Sequence, residues 1–469
     1  MNPPLPPPVL PTGSWWHWLR CQRPRFGVHL LRVPGGIRAM ELPRTLGAEG
    51  IEALSMDLHG NEELDFTEWA RRTSDAGILL VLRIRLDQPQ ALPPAHMVIL
   101  DLLKQMHFQH SGIMVQALLP EDPQDRDYER PLGLELLPFL EDHSIPLVIG
   151  TSEPLSPSGD VMRKIECQGL GILAAPTASL EPDLVHLRML AGRLPRTPLN
   201  VSLKREAFSD NSLPRYDRRA MASSLAAGAG LTLLEALPED LPEAIQLIQS
   251  FLPTIQETPE IWPEPRMQHA AIMLRETSEG IQMGAPLSAL LGAYKILTKT
   301  FGVPTRLCFE SHPPHKAPPF LWVPAHGPLG PRLWNILMSL AKRGSEILIT
   351  GLCLEDELER KRISLLGFPL KTIETSDERF PPWLQGAKLF CTEGKVYSSP
   401  VQLGRIHFAD ECFELDPEKE ADKIAPLLRA SGWEEQNALP KGGSFARLDC
   451  GRFSLSADLD KGITQALRH

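Results

Sequence analysis

The stretch Ala76-Gly77-Ile78-Leu79-Leu80-Val81-Leu82-Arg83 decides the fold. Five successive branched apolar residues without polar alternation mark a parallel strand covered on both faces. Runs of the same kind begin near Gly27, Ile51, Gly112, Ile145, Gly171, Pro198 and Gly230, and each leads into an amphipathic stretch. Successive runs start 24 to 35 residues apart, the length of one strand–helix unit. Eight such units over residues 26–258 predict a (β/α)8 TIM barrel, with an open doubly wound sheet as the alternative.

Beyond the barrel, the segment 241–265 reads as a closing helix that leads into Pro253, Pro259, Pro263 and Pro265, a cluster that marks a domain boundary. A second α/β pattern follows over residues 266–396. It has strands at Ala270–Leu274, Thr305–Phe309, Phe320–Pro324 and Glu346–Gly351, and helices at Leu287–Phe301 and Pro331–Lys342. This predicts a smaller doubly wound α/β domain. Residues 1–25 form a proline-rich arm. Residues 397–469 stay unassigned apart from a helix near Glu418–Ala430.

Composition excludes several classes. The chain of 469 residues is 42% hydrophobic, carries a net charge of −10 and has no lysine/arginine-rich block, which argues against nucleic acid. No apolar run reaches 18 residues, so no membrane span is expected, and the opening Met1-Asn2-Pro3-Pro4 lacks the apolar core of a signal peptide. The seven cysteines are scattered and include no Cys-x-x-Cys, against a disulfide framework or structural zinc and in favour of a reducing compartment, the cytoplasm. No metal or other cofactor is expected. His107 and His110 lie three apart but lack a companion carboxylate to complete a metal site.

Four short motifs stand in one order: Gly27-Val28-His29-Leu30-Leu31-Arg32-Val33-Pro34, Leu58-His59-Gly60, Leu64-Asp65-Phe66 and Gly77–Arg83. Their order and spacing resemble the opening of the β-galactosidases of glycoside hydrolase family 35, with its His-Tyr-x-Arg-x-Pro strand end, Leu-His-Glu-Pro loop, Gly-x-x-Asp-Phe turn and Gly-Leu-x-Val-x-Leu-Arg strand. The resemblance covers residues 26–240 and is densest over 27–83. More loosely, residues 268–351 resemble the glutamine-amidotransferase-like domain that follows the barrel in family 42, where it mediates oligomer contacts.

The resemblance implies retaining chemistry, which needs two carboxyl groups about 5–5.5 Å apart at the C-terminal ends of the strands. The family's acid/base ends a Gln-x-Glu-Asn-Glu strand. Here Gln116 matches the Gln, Tyr128 falls on the tyrosine that begins the next helix, and Leu118, Leu119 and Pro120 fill the Glu-Asn-Glu slots. None of these three can donate a proton. Glu121 or Asp122 serves as acid/base only if the strand end slips; otherwise both belong to a solvated acidic loop. At the seventh strand Glu206 precedes an aromatic residue, as the family's nucleophile does, although Lys204 and Arg205 come before it and a salt-bridged surface glutamate is the other reading. Glu235 at the eighth strand is a weaker candidate. His29, Arg32, His59, Arg83 and Gln116 match the family's substrate-facing mouth, while its tyrosines have become Leu30 and part of Ile84–Asp87. The expectation is a scaffold retained with its pocket given up.

Two function readings follow. The first is a degenerate β-galactosidase-like protein, an accessory or assembly subunit or weak glycan binder. The second is an active retaining exo-β-glycosidase that uses Glu206 and Glu121. The resemblance of the second domain implies a homo-oligomer or protein complex. On the helix Pro331–Lys342, Leu333, Ile336 and Leu337 form an apolar stripe, and Trp334 and Met338 beside it are either core or an exposed interface patch. Cys353 follows a strand where true amidotransferases keep their nucleophile, with His407 the one later histidine before the C-terminal residue available as its base; a buried structural thiol is the plainer reading.

Overall fold

The computed structural model describes residues 24–33, 37–57, 66–85, 100–101, 103–104, 112–118, 136–142, 145, 147–151, 171–174, 199–204, 216, 218–258, 268–274, 285–324, 329–352, 357–368, 372–374, 388–390, 392, 395–434, 445–449 and 453–468. Strands β1 (Arg25–Leu30), β2 (Ala53–Asp57), β3 (Leu79–Arg85), β4 (Ile113–Leu118), β5 (Leu147–Thr151), β6 (Gly171–Ala174), β7 (Leu199–Leu203) and β8 (Ala229–Ala236) pair in that order. Every pairing is parallel, and β8 returns to β1 to close the barrel. All eight strands start within two residues of the starts of the apolar runs.

The reason is burial on both faces. In β3, Leu79, Leu80, Val81, Leu82 and Ile84 are each at most 1% exposed. Alternation sends one set inward: Ala53, Leu79, Val81, Met114, Val148, Leu231 and Leu233 form one cluster inside the barrel. The other set lies under a shell that includes helices α1 (Ile37–Ala48), α2 (Phe66–Asp75), α3 (Leu137–Asp142), α4 (Arg218–Ala226) and α5 (Leu241–Gln256). Each fully buried side chain of this kind contributes about 1.5–3 kcal/mol.

Two compact units are present. One comprises Met1–Glu264, Cys450–Ala457 and Lys461–His469, the other Pro265–Asp449 and Asp458–Asp460. The chain's last strands, β18 (Phe453–Asp458) and β19 (Ile463–Arg468), pair with each other, and β19 packs beside α4 and α5 of the barrel. Thr254 Oγ1 donates to the Thr464 carbonyl at 3.1 Å. In the turn before β19, Gly462 has φ +59°, and a Cβ there would fall 2.7 Å from the Arg218 Cβ.

In the second unit β9 (Ala270–Leu274), β10 (Thr305–Phe309), β11 (Phe320–Val323), β12 (Glu346–Thr350), β15 (Tyr397–Val401) and β16 (Gly404–Ala409) form one sheet in the order β10-β9-β11-β12-β16-β15. All pairs are parallel except β15–β16. A separate antiparallel pair joins β13 (Thr372–Glu374) to β14 (Lys388–Phe390), and β17 (Phe445–Asp449) comes later. The helices are α6 (Ala285–Lys295), which continues as a π-turn over Ile296–Thr300, then α7 (Gly330–Lys342), α8 (Glu357–Leu365) and α9 (Pro417–Ala430). The sheet thus extends beyond residue 396 into the segment that the sequence pattern leaves unassigned.

Helix α7 settles the question of Trp334 and Met338. Leu333, Trp334, Leu337 and Leu340 pack on Ala271, Leu321, Ile347, Ile349 and Phe408, with Met338 partly buried against the same cluster. Trp334 is only 7% exposed, so of the two readings the structure supports core. No helix among the described residues is long and apolar enough to cross a membrane.

Gly27 tests the barrel's inner packing. A Cβ there would sit 2.5 Å from the Ala53 carbonyl oxygen and 2.8 Å from Leu233 Cδ2. Gly27→Val is expected to destabilise the protein by about 1–3 kcal/mol, read from urea denaturation; an unchanged midpoint would contradict this packing.

Candidate functional site

The catalytic end of a (β/α)8 barrel is where its strands finish, and there the interior changes from apolar to polar. His29, Ser55, Asp57, Arg83, Gln116, Ser202 and Glu235 share the alternation of the inner apolar cluster, nearer the C-terminal ends. His29 stands opposite Ser55 and Glu235, Asp57 opposite Arg83, and Arg83 opposite Gln116.

Arg83 is the hub, its side chain 5% exposed. Nη2 donates to Ser202 Oγ at 2.9 Å, Nη1 to His29 Nε2 at 3.1 Å and to Glu235 Oε1 at 3.4 Å, and Nε to Gln116 Oε1 at 3.4 Å. Asp57 Oδ1 lies 3.6 Å from Nε. A guanidinium stays charged at any working pH, so burial requires these compensating acceptors. Both described carboxylates of the mouth, Asp57 and Glu235, are engaged by it. Tyr216, itself buried, donates its hydroxyl to the Glu235 carbonyl at 2.9 Å and secures the end of β8.

The contacts fix the histidine's proton. Arginine can only donate, so His29 Nε2 accepts, and Nδ1–H faces Ser55 Oγ at 2.9 Å. Asp57 at 3.7 Å from Nε2 is too far to compete. Burial first, with the Arg83 charge, holds His29 below its ordinary 6.5 against the pull of Asp57 and Glu235. The ring is neutral.

Three amide atoms in this interior lack a partner. Gln116 Nε2 is one, and both amide atoms of Asn200, two residues before Ser202 on β7, are the others; the two residues are fully buried. Buried polar atoms are normally hydrogen-bonded, so they need water or a ligand's hydroxyl groups. At the end of β4, Leu118 is partly buried and packs on the inner apolar cluster. Among the described residues no group of three or more His, Cys, Asp or Glu side chains could hold a metal.

The sequence-derived set therefore divides. His29, Arg83 and Gln116 meet, and Glu235 joins them. Arg32 is exposed beyond β1 and pairs with Glu239 at 3.5 Å, apart from this network. His59, Glu121 and Glu206 lie outside the described residues, as do Tyr128, Cys353, His107 and His110. Asp57, Ser55, Ser202 and Tyr216 were not anticipated. The polar positions at alternate places in Ala53–Asp57 and Leu199–Leu203, runs otherwise largely apolar, are the signal that points to Ser55, Asp57 and Ser202. The pairing of His407 with Cys353 lies outside the described residues, because residue 353 does. His407 binds Glu346, the first residue of β12.

The fold is glycoside-hydrolase-like. The exo-β-1,4-mannosidase Op5Man5 from Opitutaceae bacterium strain TAV5 superposes with a TM-score of 0.53 at 9% identity, covering 90% of this chain and 99% of that one. The β-galactosidase from Rahnella sp. R3 gives 0.57 at 11% identity, covering 93% of each chain. No protein-family model and no curated protein sequence matches the chain.

Two measurements check the network. Arg83→Ala strands Asp57 and Glu235 and is expected to cost about 3–5 kcal/mol in chemical denaturation. A cost near that of an average surface substitution, within about 0.5 kcal/mol, would refute the hub. Because burial lowers the His29 pKa, its contribution to stability is present above 6.5 and declines as pH falls below that value. Between about pH 6.5 and 5.5, above the range where most carboxylates titrate, stability should fall less steeply in His29→Gln than in the unmodified protein.

Proposed function

We propose that the protein is a β-galactosidase-like barrel whose catalytic pair has been lost, and that it acts as a weak glycan binder or an accessory or assembly subunit. The observation that carries this reading is Leu118. The resemblance to family 35 puts the proton-donating strand end at residues 118–120, and the structure has Leu118 packed on the apolar interior. A leucine supplies neither a proton nor a negative charge.

The neighbouring carboxylates do not replace it in this reading. Asp57 and Glu235 both lie against Arg83, which commits them to balancing a buried cation. What the mouth retains suits recognition: a neutral histidine, serine hydroxyls, the unpartnered Gln116 Nε2 and the unpartnered amide of Asn200. Such groups match sugar hydroxyls, which both donate and accept. The two solved neighbours are named as a mannosidase and a β-galactosidase, in keeping with a saccharide at this mouth. The second unit, glutamine-amidotransferase-like in this reading, supplies the contacts of a homo-oligomer or complex.

The test uses aryl-β-galactosides, glucosides and fucosides, whose leaving groups need little protonation and therefore favour detection of residual activity. Purified protein is expected to release no aryl alcohol above a Glu206→Gln control. Turnover that disappears in that control would instead establish the exo-glycosidase with Glu206 as nucleophile and Glu121 as acid/base.

A further inference from the structure

The edge of the second unit's sheet holds a chain of three side chains that the barrel chemistry does not use. Strands β15 and β16 form a hairpin whose two-residue turn, Gln402-Leu403, has Gln402 at φ +53°. The hairpin pairs Ser398 with His407, and β16 lies parallel to β12, which begins at Glu346. Ser398 Oγ is 2.6 Å from His407 Nδ1, and His407 Nε2 is 2.7 Å from Glu346 Oε2. The side chains of His407 and Glu346 are 3% and 11% exposed, whereas Ser398 is open to solvent.

The proton order follows from the donors. A carboxylate only accepts, so His407 carries its proton on Nε2 and directs it to Glu346. Nδ1 then presents a lone pair, and the Ser398 hydroxyl donates to it. This is the arrangement in which a serine is deprotonated as it attacks: nucleophile, base, and a carboxylate that orients the base. Burial keeps the His407 ring below its ordinary pKa against the opposing pull of Glu346, and the nearby Arg405 lowers it further, so the ring is free to take up a proton. The hairpin supplies a second requirement. With Val401 and Gly404 as the hydrogen-bonded pair flanking the turn, Ser398 falls at a position whose N–H points away from β16. Among the described residues β15 is the last strand of the sheet, so this N–H faces the sheet's outer edge beside the nucleophile. There it can donate to a developing oxyanion.

We propose that Ser398, His407 and Glu346 form a second reactive centre, a serine acyl-transfer relay that accepts small acyl esters at the outer edge of β15. Ser398 Oγ attacks the ester carbonyl carbon, its proton passes to His407 Nδ1, and the carbonyl electron pair moves onto oxygen. Collapse of this adduct breaks the ester C–O bond, and the departing alkoxide takes the proton from Nδ1. Water, deprotonated in turn by Nδ1, attacks the acyl-serine, releases the carboxylic acid and returns the proton to Ser398. Glu346 acts as a positioning residue that holds the ring and stabilises the transient imidazolium.

The experiment exposes the full-length folded protein to a fluorophosphonate probe and maps adducts by peptide mass spectrometry. Phosphonylation displaces fluoride and leaves a stable Ser398 adduct. Ser398 is expected to be labelled ahead of the chain's other serines, with His407→Gln slowing labelling on the order of 100-fold, the usual size of general-base assistance. Glu346→Gln should slow it as well, and p-nitrophenyl acetate hydrolysis should fall in parallel. Circular dichroism and thermal melting of each variant identify any that fail to fold; for those, labelling of the unmodified protein decides. Absence of a Ser398 adduct on the folded unmodified protein, or labelling that a folded His407→Gln variant leaves unchanged, would overturn the relay.

Discussion

A guanidinium held inside the barrel mouth is the constraint on which the surrounding structure depends. Arg83 cannot shed its charge, and moving an unpaired ion of this kind from water into protein costs several kcal/mol even after relaxation. That cost determines the neighbours. Asp57 and Glu235 supply negative charge, Ser202 and Gln116 supply neutral acceptors, and His29 must remain unprotonated to accept at Nε2. Ser55 then has to meet the other ring nitrogen. Strands β1, β2, β3, β4, β7 and β8 are thereby tied through one side chain, so the balance of its charge depends on all six being in place.

The sequence announces the barrel because burial on both faces writes an uninterrupted apolar run eight times, and such a run needs no knowledge of its partners. It announces His29, Arg83 and Gln116 because these stand within recognisable strand ends. Asp57 and Ser202 are legible only after closure is known. Each is one of two polar residues in a short, otherwise apolar strand, and its role comes from Arg83, which is distant in sequence. Arg32 shows the opposite case: it belongs to the same motif as His29 but lies beyond Leu30, the last residue of β1, and so leaves the inner layer. Trp334 is a similar matter of degree. A helical wheel puts it at the side of the apolar stripe, and only the width of the sheet beneath decides that it is covered.

The C-terminal segment was opaque for a different reason. Strands β15 and β16 are short and half polar, and β16 joins a parallel sheet through β12, more than fifty residues earlier. No local period records that pairing. Gly404 does so indirectly, since a Cβ there would meet the Ser345 carbonyl oxygen at 2.3 Å, a contact only a glycine allows.

The two polar clusters differ in where their hydrogen bonds end, and that difference separates their chemistry. Around Arg83 the donors of a fixed cation are spent on acceptors that are themselves largely buried, and what is left over is the Gln116 Nε2 and the Asn200 amide. The chain from Glu346 through His407 instead ends on a hydroxyl in solvent. A buried carboxylate and imidazole that served packing alone would gain little from an exposed serine, because water could satisfy Nδ1 as well. Placement matters too. Sites in open α/β sheets gather at the carboxyl ends of the strands, whereas Glu346 begins β12. A parallel neighbour sets Leu348 beside His407; it takes the antiparallel edge strand to bring Ser398 into register with the ring. The reactive arrangement thus depends on the one strand that departs from the sheet's parallel order.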